Sequence, residues 1–74
     1  MTRTWHFERQ SDGSFLMWLE QDPQRQLPAS DLTKLEDQCR ANSIFDQYFD
    51  DICRQLQRTD KATVTVPTPG KFGM

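Results

Sequence analysis

Apolar positions along the chain change period twice. Over residues 4–9, Thr-Trp-His-Phe-Glu-Arg, they alternate. Trp5 and Phe7 fall on one side, His6 and Glu8 on the other, which is the two-residue period of a strand. Ser11-Asp12-Gly13-Ser14 follows. Asp-Gly between two apolar runs predicts a hairpin, because type I′ and bulged turns both need positive φ. Residues 15–20 are the second strand. Phe15, Met17 and Leu19 line one face, Leu16 and Trp18 the other, so both faces are apolar. Such a strand is either covered twice or presents one face to another molecule.

Residues 21–28 are polar and broken by Pro23 and Pro28, and read as a connecting loop. Ser30 then fits an N-cap with Asp31 in the first turn. Leu32, Leu35 and Cys39 mark the buried stripe of a helix over about 31–41. Asn42-Ser43 breaks it, and Ser43-Ile44-Phe45-Asp46 resembles a capping box with Asp in place of Glu. The second helix runs to about residue 58. Its Phe45, Tyr48, Phe49, Ile52 and Leu56 fall at i, i+3, i+4, i+7 and i+11, an unusually aromatic stripe on one face. Asp46, Asp50 and Arg54 occupy another face. A single continuous helix is the competing reading. Leu32, Leu35, Cys39, Asn42, Asp46, Phe49, Cys53 and Leu56 also fit a heptad spacing, which would favour a helical dimer.

Residues 62–66 form a short β-branched strand with Ala62, Val64 and Val66 on one face. Pro67 lacks an N–H and ends the ladder. The expected fold class is therefore α+β: a small antiparallel sheet, made of a β-hairpin plus a C-terminal strand, with two helices on one face, in the order β-β-α-α-β. The terminal strand is expected beside strand one. Residues 1–66 make one domain and 67–74 a flexible Pro/Gly tail.

Charge and size narrow the function classes. At 74 residues the chain has little margin between apolar burial and chain entropy, so self-association is expected from size alone. A net charge of −2 argues against a nucleic-acid partner, which needs a basic surface. Acids cluster at Asp31, Glu36, Asp37, Asp46, Asp50 and Asp51; bases follow at Arg54, Arg58, Lys61 and Lys71. Helix-dipole complementarity explains much of that split, and an acidic patch for a basic partner is the functional alternative. Met1-Thr2-Arg3-Thr4 leads into a strand without an apolar leader, and no stretch is apolar enough to span a membrane. The expected location is cytoplasmic. Cys39 and Cys53 then read as free thiols serving as small apolar residues, a disulfide between the helices being the rarer alternative.

No motif carries catalysis. His6 is the lone histidine, the cysteines lack zinc spacing, and Asp46, Asp50 and Asp51 on a helix cannot wrap a cation. There is no phosphate-binding glycine loop. The expectation is no enzyme and no cofactor. What remains is a small non-enzymatic regulator, an adaptor or inhibitor of the phage- or plasmid-encoded kind, acting by protein–protein binding and forming a homodimer. Leu16 and Trp18 are the candidate apolar anchors, and Asp46, Asp50 and Asp51 the electrostatic complement. The edge at 63–66 is a further candidate, by addition to a neighbouring sheet. The alternative is a small single-stranded nucleic-acid binder that stacks bases on Trp5, Phe7, Phe15 and Trp18, with Arg3, Arg9 and Lys61 on phosphates.

Overall fold

The computed structural model describes residues 2–67. Strands β1 (Thr2–Arg9), β2 (Phe15–Leu19) and β3 (Asp22–Ala29) precede helices α1 (Leu32–Ala41) and α2 (Asp46–Thr59), and β4 (Lys61–Pro67) closes the chain. They build a four-stranded antiparallel sheet in the order β3-β2-β1-β4. Both helices pack on one face, α1 over β3 and α2 over β4 and β1. The α+β class, the helices on one face and the terminal strand beside β1 are as the sequence leads one to expect. The proposed tail, Pro67 apart, lies outside the described residues.

The β1–β2 turn is of the bulged kind. The Gly13 N–H donates to the Gln10 carbonyl at 3.0 Å and the Gln10 N–H to the Ser14 carbonyl at 2.7 Å. Gly13 sits at φ +90°, where a side chain would be strained, so Asp-Gly is required here. Asp12 Oδ1 accepts from the Ser14 hydroxyl at 2.6 Å and the Ser14 N–H at 2.9 Å. Those two bonds hold the Asp12 carboxyl below its usual range.

The segment read as a loop is instead a third strand. Leu19 pairs with Asp22 across a two-residue turn, and Phe15, Leu16 and Met17 pair with Ala29, Pro28 and Leu27. An edge strand directs alternate N–H groups to solvent, so a proline there costs no ladder bond. Residues 22–26 are exposed, which is why they carry no apolar period; only Leu27 and Ala29 turn inward. The register shifts between Met17 and Leu19, and the extra residues of β3 bow outward there.

The helix joint also differs in detail. Asp31 caps α1, its Oδ1 accepting from the Lys34 N–H at 2.9 Å, one residue later than expected from Ser30. Asn42 ends α1, its side-chain amide donating to the Gln38 carbonyl at 2.8 Å. Ser43 then adopts φ 65°, a left-handed conformation that no continuous helix can contain. The long-helix reading is therefore overturned, and Ser43 cannot serve as the capping residue. Phe45 is the extended residue before α2 and offers no side-chain cap, so the capping box does not form. This shifts the aromatic stripe. Phe45 is 64 % exposed, Tyr48 and Phe49 are partly buried, and Ile44, in the joint itself, is fully buried. Leu32, expected in the stripe of α1, is likewise exposed.

The core lies between sheet and helices. Trp5, Phe7, Phe15, Met17, Ala29, Ala62, Val64 and Val66 come from the sheet, and Leu35, Cys39, Ile44, Ile52 and Leu56 from the helical layer. Arg9 fastens the sheet to the end of α2. Its guanidinium donates to Asp60 Oδ1 at 2.6 and 2.8 Å and to the Leu56 carbonyl at 2.9 Å. Asp60, at φ 62°, forms the left-handed cap that turns the chain from α2 into β4.

Candidate interaction surface

The strand alternation that buries Trp5, Phe7 and Met17 directs their neighbours to the opposite side, which no element covers. Thr4, His6 and Glu8 of β1, Leu16 and Trp18 of β2, and Thr63 and Thr65 of β4 share this open face. The pairs Glu8–Leu16, His6–Trp18, His6–Thr63 and Thr4–Thr65 lie directly opposite one another.

His6 is the centre of the face. Its ring stacks on Trp18 with centroids 5.9 Å apart and planes 22° from parallel. Nε2 meets Glu20 Oε1 at 3.1 Å and Nδ1 meets the Thr63 hydroxyl at 3.3 Å. An ionised carboxylate only accepts, so Nε2 carries the proton and Nδ1 accepts from Thr63. Thr4 and Thr65 hydroxyls bond to each other at 3.1 Å alongside. These bonds fix the polar half of the face and hold Trp18 in one orientation. Leu16 and Trp18 are half-buried and lie outside the core cluster. The sequence reading treated His6 as a solvated strand residue. Counting the register back from Gly13, which places His6 across from Trp18, is the signal that finds it.

The five residues expected to form one partner site do not come together. Leu16 and Trp18 are on the open sheet face. Asp46, Asp50 and Asp51 are exposed on α2, in the helical layer on the other side. Asp46 pairs with Arg40 Nε at 3.2 Å, and Arg40 also reaches Glu36 at 3.0 Å. Hydrogen bonding to Asp46 and the two acids raise the Arg40 pKa, and in return much of the Asp46 charge is neutralised locally. Asp51 accepts from the Gln55 amide at 3.0 Å. The acidic stretch that remains is Asp50 and Asp51.

The aromatic platform for bases does not form either. Trp5, Phe7 and Phe15 are buried under the helices, leaving Trp18 alone on the open side, and Arg9 is committed to Asp60 and Leu56. The β4 edge is occupied rather than open. Gln55 and Thr59 bond the outward backbone groups of Thr63 and Lys61.

The thiols are inert in character. Cys39 is buried, and its pKa is pushed up to about 12, by burial first and then by Cys53 and Glu36. Burial, Asp50 and Glu36 also raise that of Cys53. No group of three or more His, Cys, Asp or Glu side chains among the described residues could hold a metal ion. No described helix is long and apolar enough to cross a membrane. Compared with protein-family models, curated proteins and solved structures, the chain matches none.

Proposed function

We propose that this protein is a small non-enzymatic regulator, an adaptor or inhibitor working in the cytoplasm, that binds protein through its open sheet face and forms a homodimer there. The observation that carries this reading is the position of Leu16 and Trp18: apolar, outside the core, on the uncovered side of the sheet. The same face holds Glu8, Glu20 and Lys61, charges of both signs. That mixture suits a two-fold contact with a second copy better than a strongly charged partner. A dimer through the sheet leaves Asp50 and Asp51 on α2 free to steer a further, basic partner.

The test is light scattering over a dilution series, for the wild type and Trp18→Ala, under reducing conditions. The expected result is a wild-type dimer whose dissociation midpoint rises at least about tenfold in the variant, equivalent to about 1.4 kcal/mol. Circular dichroism of the variant should remain native, because Trp18 lies outside the core cluster. A wild type that stays monomeric throughout, or a variant that unfolds, overturns the reading.

A further inference from the structure

A second surface, on the helix side of the sheet, has the chemistry of a ligand site. Arg3, Trp5, Leu19, Asp22, Arg25, Leu27, Gln38 and Asn42 line an open cleft of about 380 Å³. That volume lies in the range of small-molecule sites, about 300–1,000 Å³. Its floor is apolar, from Leu19 and Leu27, both partly buried against the core. Its rim holds three charges, Arg3, Arg25 and Asp22, none within ion-pair distance of an opposite charge among the described residues. Elsewhere on this small surface Arg9 and Arg40 both have carboxylate partners, so the contrast is local.

The independent pointer is Trp5. It is 3 % exposed, and its indole Nε1 is the one buried side-chain nitrogen or oxygen among the described residues without a hydrogen-bond partner. Leaving such a donor unpaired costs about 1–3 kcal/mol, so native proteins rarely do it away from functional sites. Asn42 uses its amide N–H on the Gln38 carbonyl, so its Oδ1 remains available as an acceptor in the cleft.

We propose that this cleft binds a small apolar α-amino acid. Its carboxylate meets Arg3 and Arg25, its ammonium meets Asp22 and the Asn42 carbonyl oxygen, and its side chain covers Leu19 and Leu27. Two guanidiniums suit a carboxylate, and a lone aspartate beside them suits the adjoining ammonium. The indole N–H lies below the water-accessible surface, so a small shift of the exposed arginines on ligand entry brings an acceptor to it. This assignment is independent of the open sheet face.

The experiment is a titration of the full chain with L-leucine, followed by ¹⁵N-resolved NMR of the indole N–H signals. Trp18→Phe identifies which signal is Trp5. N-acetyl-leucine and leucine amide serve as controls, since each removes one charge. The expected result is a saturable shift of the Trp5 signal by leucine, with both controls at least about tenfold weaker. Arg25→Gln and Asp22→Asn, both at exposed positions that leave the core intact, should weaken leucine to a similar degree. No saturable shift up to about 20 mM, where even a weak small-ligand site fills, overturns the assignment. So does an equal response to leucine and N-acetyl-leucine, or substitutions without effect.

Discussion

Gln55 lies against Thr63 as a further strand would. Its amide N–H donates to the Thr63 carbonyl and its amide oxygen accepts the Thr63 N–H, each at 3.0 Å. One turn on, the Thr59 hydroxyl does the same for Lys61, donating to the carbonyl at 3.0 Å and accepting the N–H at 3.4 Å. Pro67 has no N–H to offer. Of the outward row on β4, Thr65 is left as the remaining donor without a side-chain partner among the described residues. An unpaired edge is a template for association, and here the adjoining helix closes it.

Gln55→Ala should therefore do two things. It removes two partly solvated hydrogen bonds, an expected loss of about 1 kcal/mol by urea denaturation. It also reopens Thr63, so scattering should report concentration-dependent assembly that wild type lacks at equal fraction folded. Gln55→Glu keeps the acceptor and loses the donor, and should fall between the two. A variant as monodisperse as wild type would mean that the edge is protected by other means.

Arg9 is the second tie between α2 and the sheet. It couples the last helical carbonyls to the strand end through Leu56 and Asp60. Because Arg9 and Asp60 are both part-exposed, the pair is discounted for solvent, and Arg9→Met is expected to cost about 1–2 kcal/mol, mostly through the bond to the Leu56 carbonyl. Asp60→Asn should cost less, since Asn tolerates the left-handed φ and retains an acceptor. Denaturation in high salt separates the contributions: the loss in Arg9→Met should persist, and that in Asp60→Asn should shrink.

Where periodicity was strong, it was enough to read the fold. The alternation of Trp5 and Phe7, the Asp12-Gly13 turn and the Ala62-Val64-Val66 face lead directly to β1, β2 and β4, and Ile52 and Leu56 to the buried face of α2. What stayed hidden has physical causes. β3 is an edge strand whose first five residues are exposed, so no burial pattern is imprinted on them and its prolines resemble loop signals. The joint escaped because Ser43 takes a left-handed φ without being glycine or asparagine, which moves Ile44 inward and Phe45 outward. The open face was half visible. Leu16 and Trp18 stand out as a surplus apolar side, whereas the place of His6 depends on cross-strand register. The cleft at Arg3 and Arg25 was beyond reach, since it joins β1 to a strand that the sequence conceals.

The joint offers a direct contrast between neighbours. Ile44 is fully buried and its N–H bonds the Cys39 carbonyl at 2.8 Å, so its side chain is locked into the core. Ile44→Ala should cost about 2–5 kcal/mol, enough to unfold a chain of this size near room temperature. Phe45→Ala, one residue on, should change stability by no more than about 0.5 kcal/mol. Equal costs at the two positions would mean that α2 starts earlier and that the aromatic stripe includes Phe45 after all. Ile44→Val, expected at about 0.5–1.5 kcal/mol, gives a folded intermediate should Ile44→Ala prove too unstable to measure.

Cys39 makes stability depend on alkaline pH. In the unfolded chain its thiol ionises near 9.0, while burial in the fold holds the proton to about 12. Above pH 9 the unfolded state loses a proton that the folded state keeps, so stability falls as pH rises through that window and is fully present below it. The slope from this group reaches at most about 1.4 kcal/mol per pH unit. Cys53, less buried and shifted the same way, adds a smaller term of the same sign. Cys39→Ala should be somewhat less stable at pH 7, because it leaves a small void, yet lose stability more slowly between pH 9 and 11. Urea midpoints of both proteins across that range, with a reductant present, give the comparison, and the difference between them cancels tyrosine and lysine titration. Parallel curves would mean that the Cys39 thiol ionises as readily folded as unfolded, which its burial among Leu35, Ile44 and Ile52 does not permit.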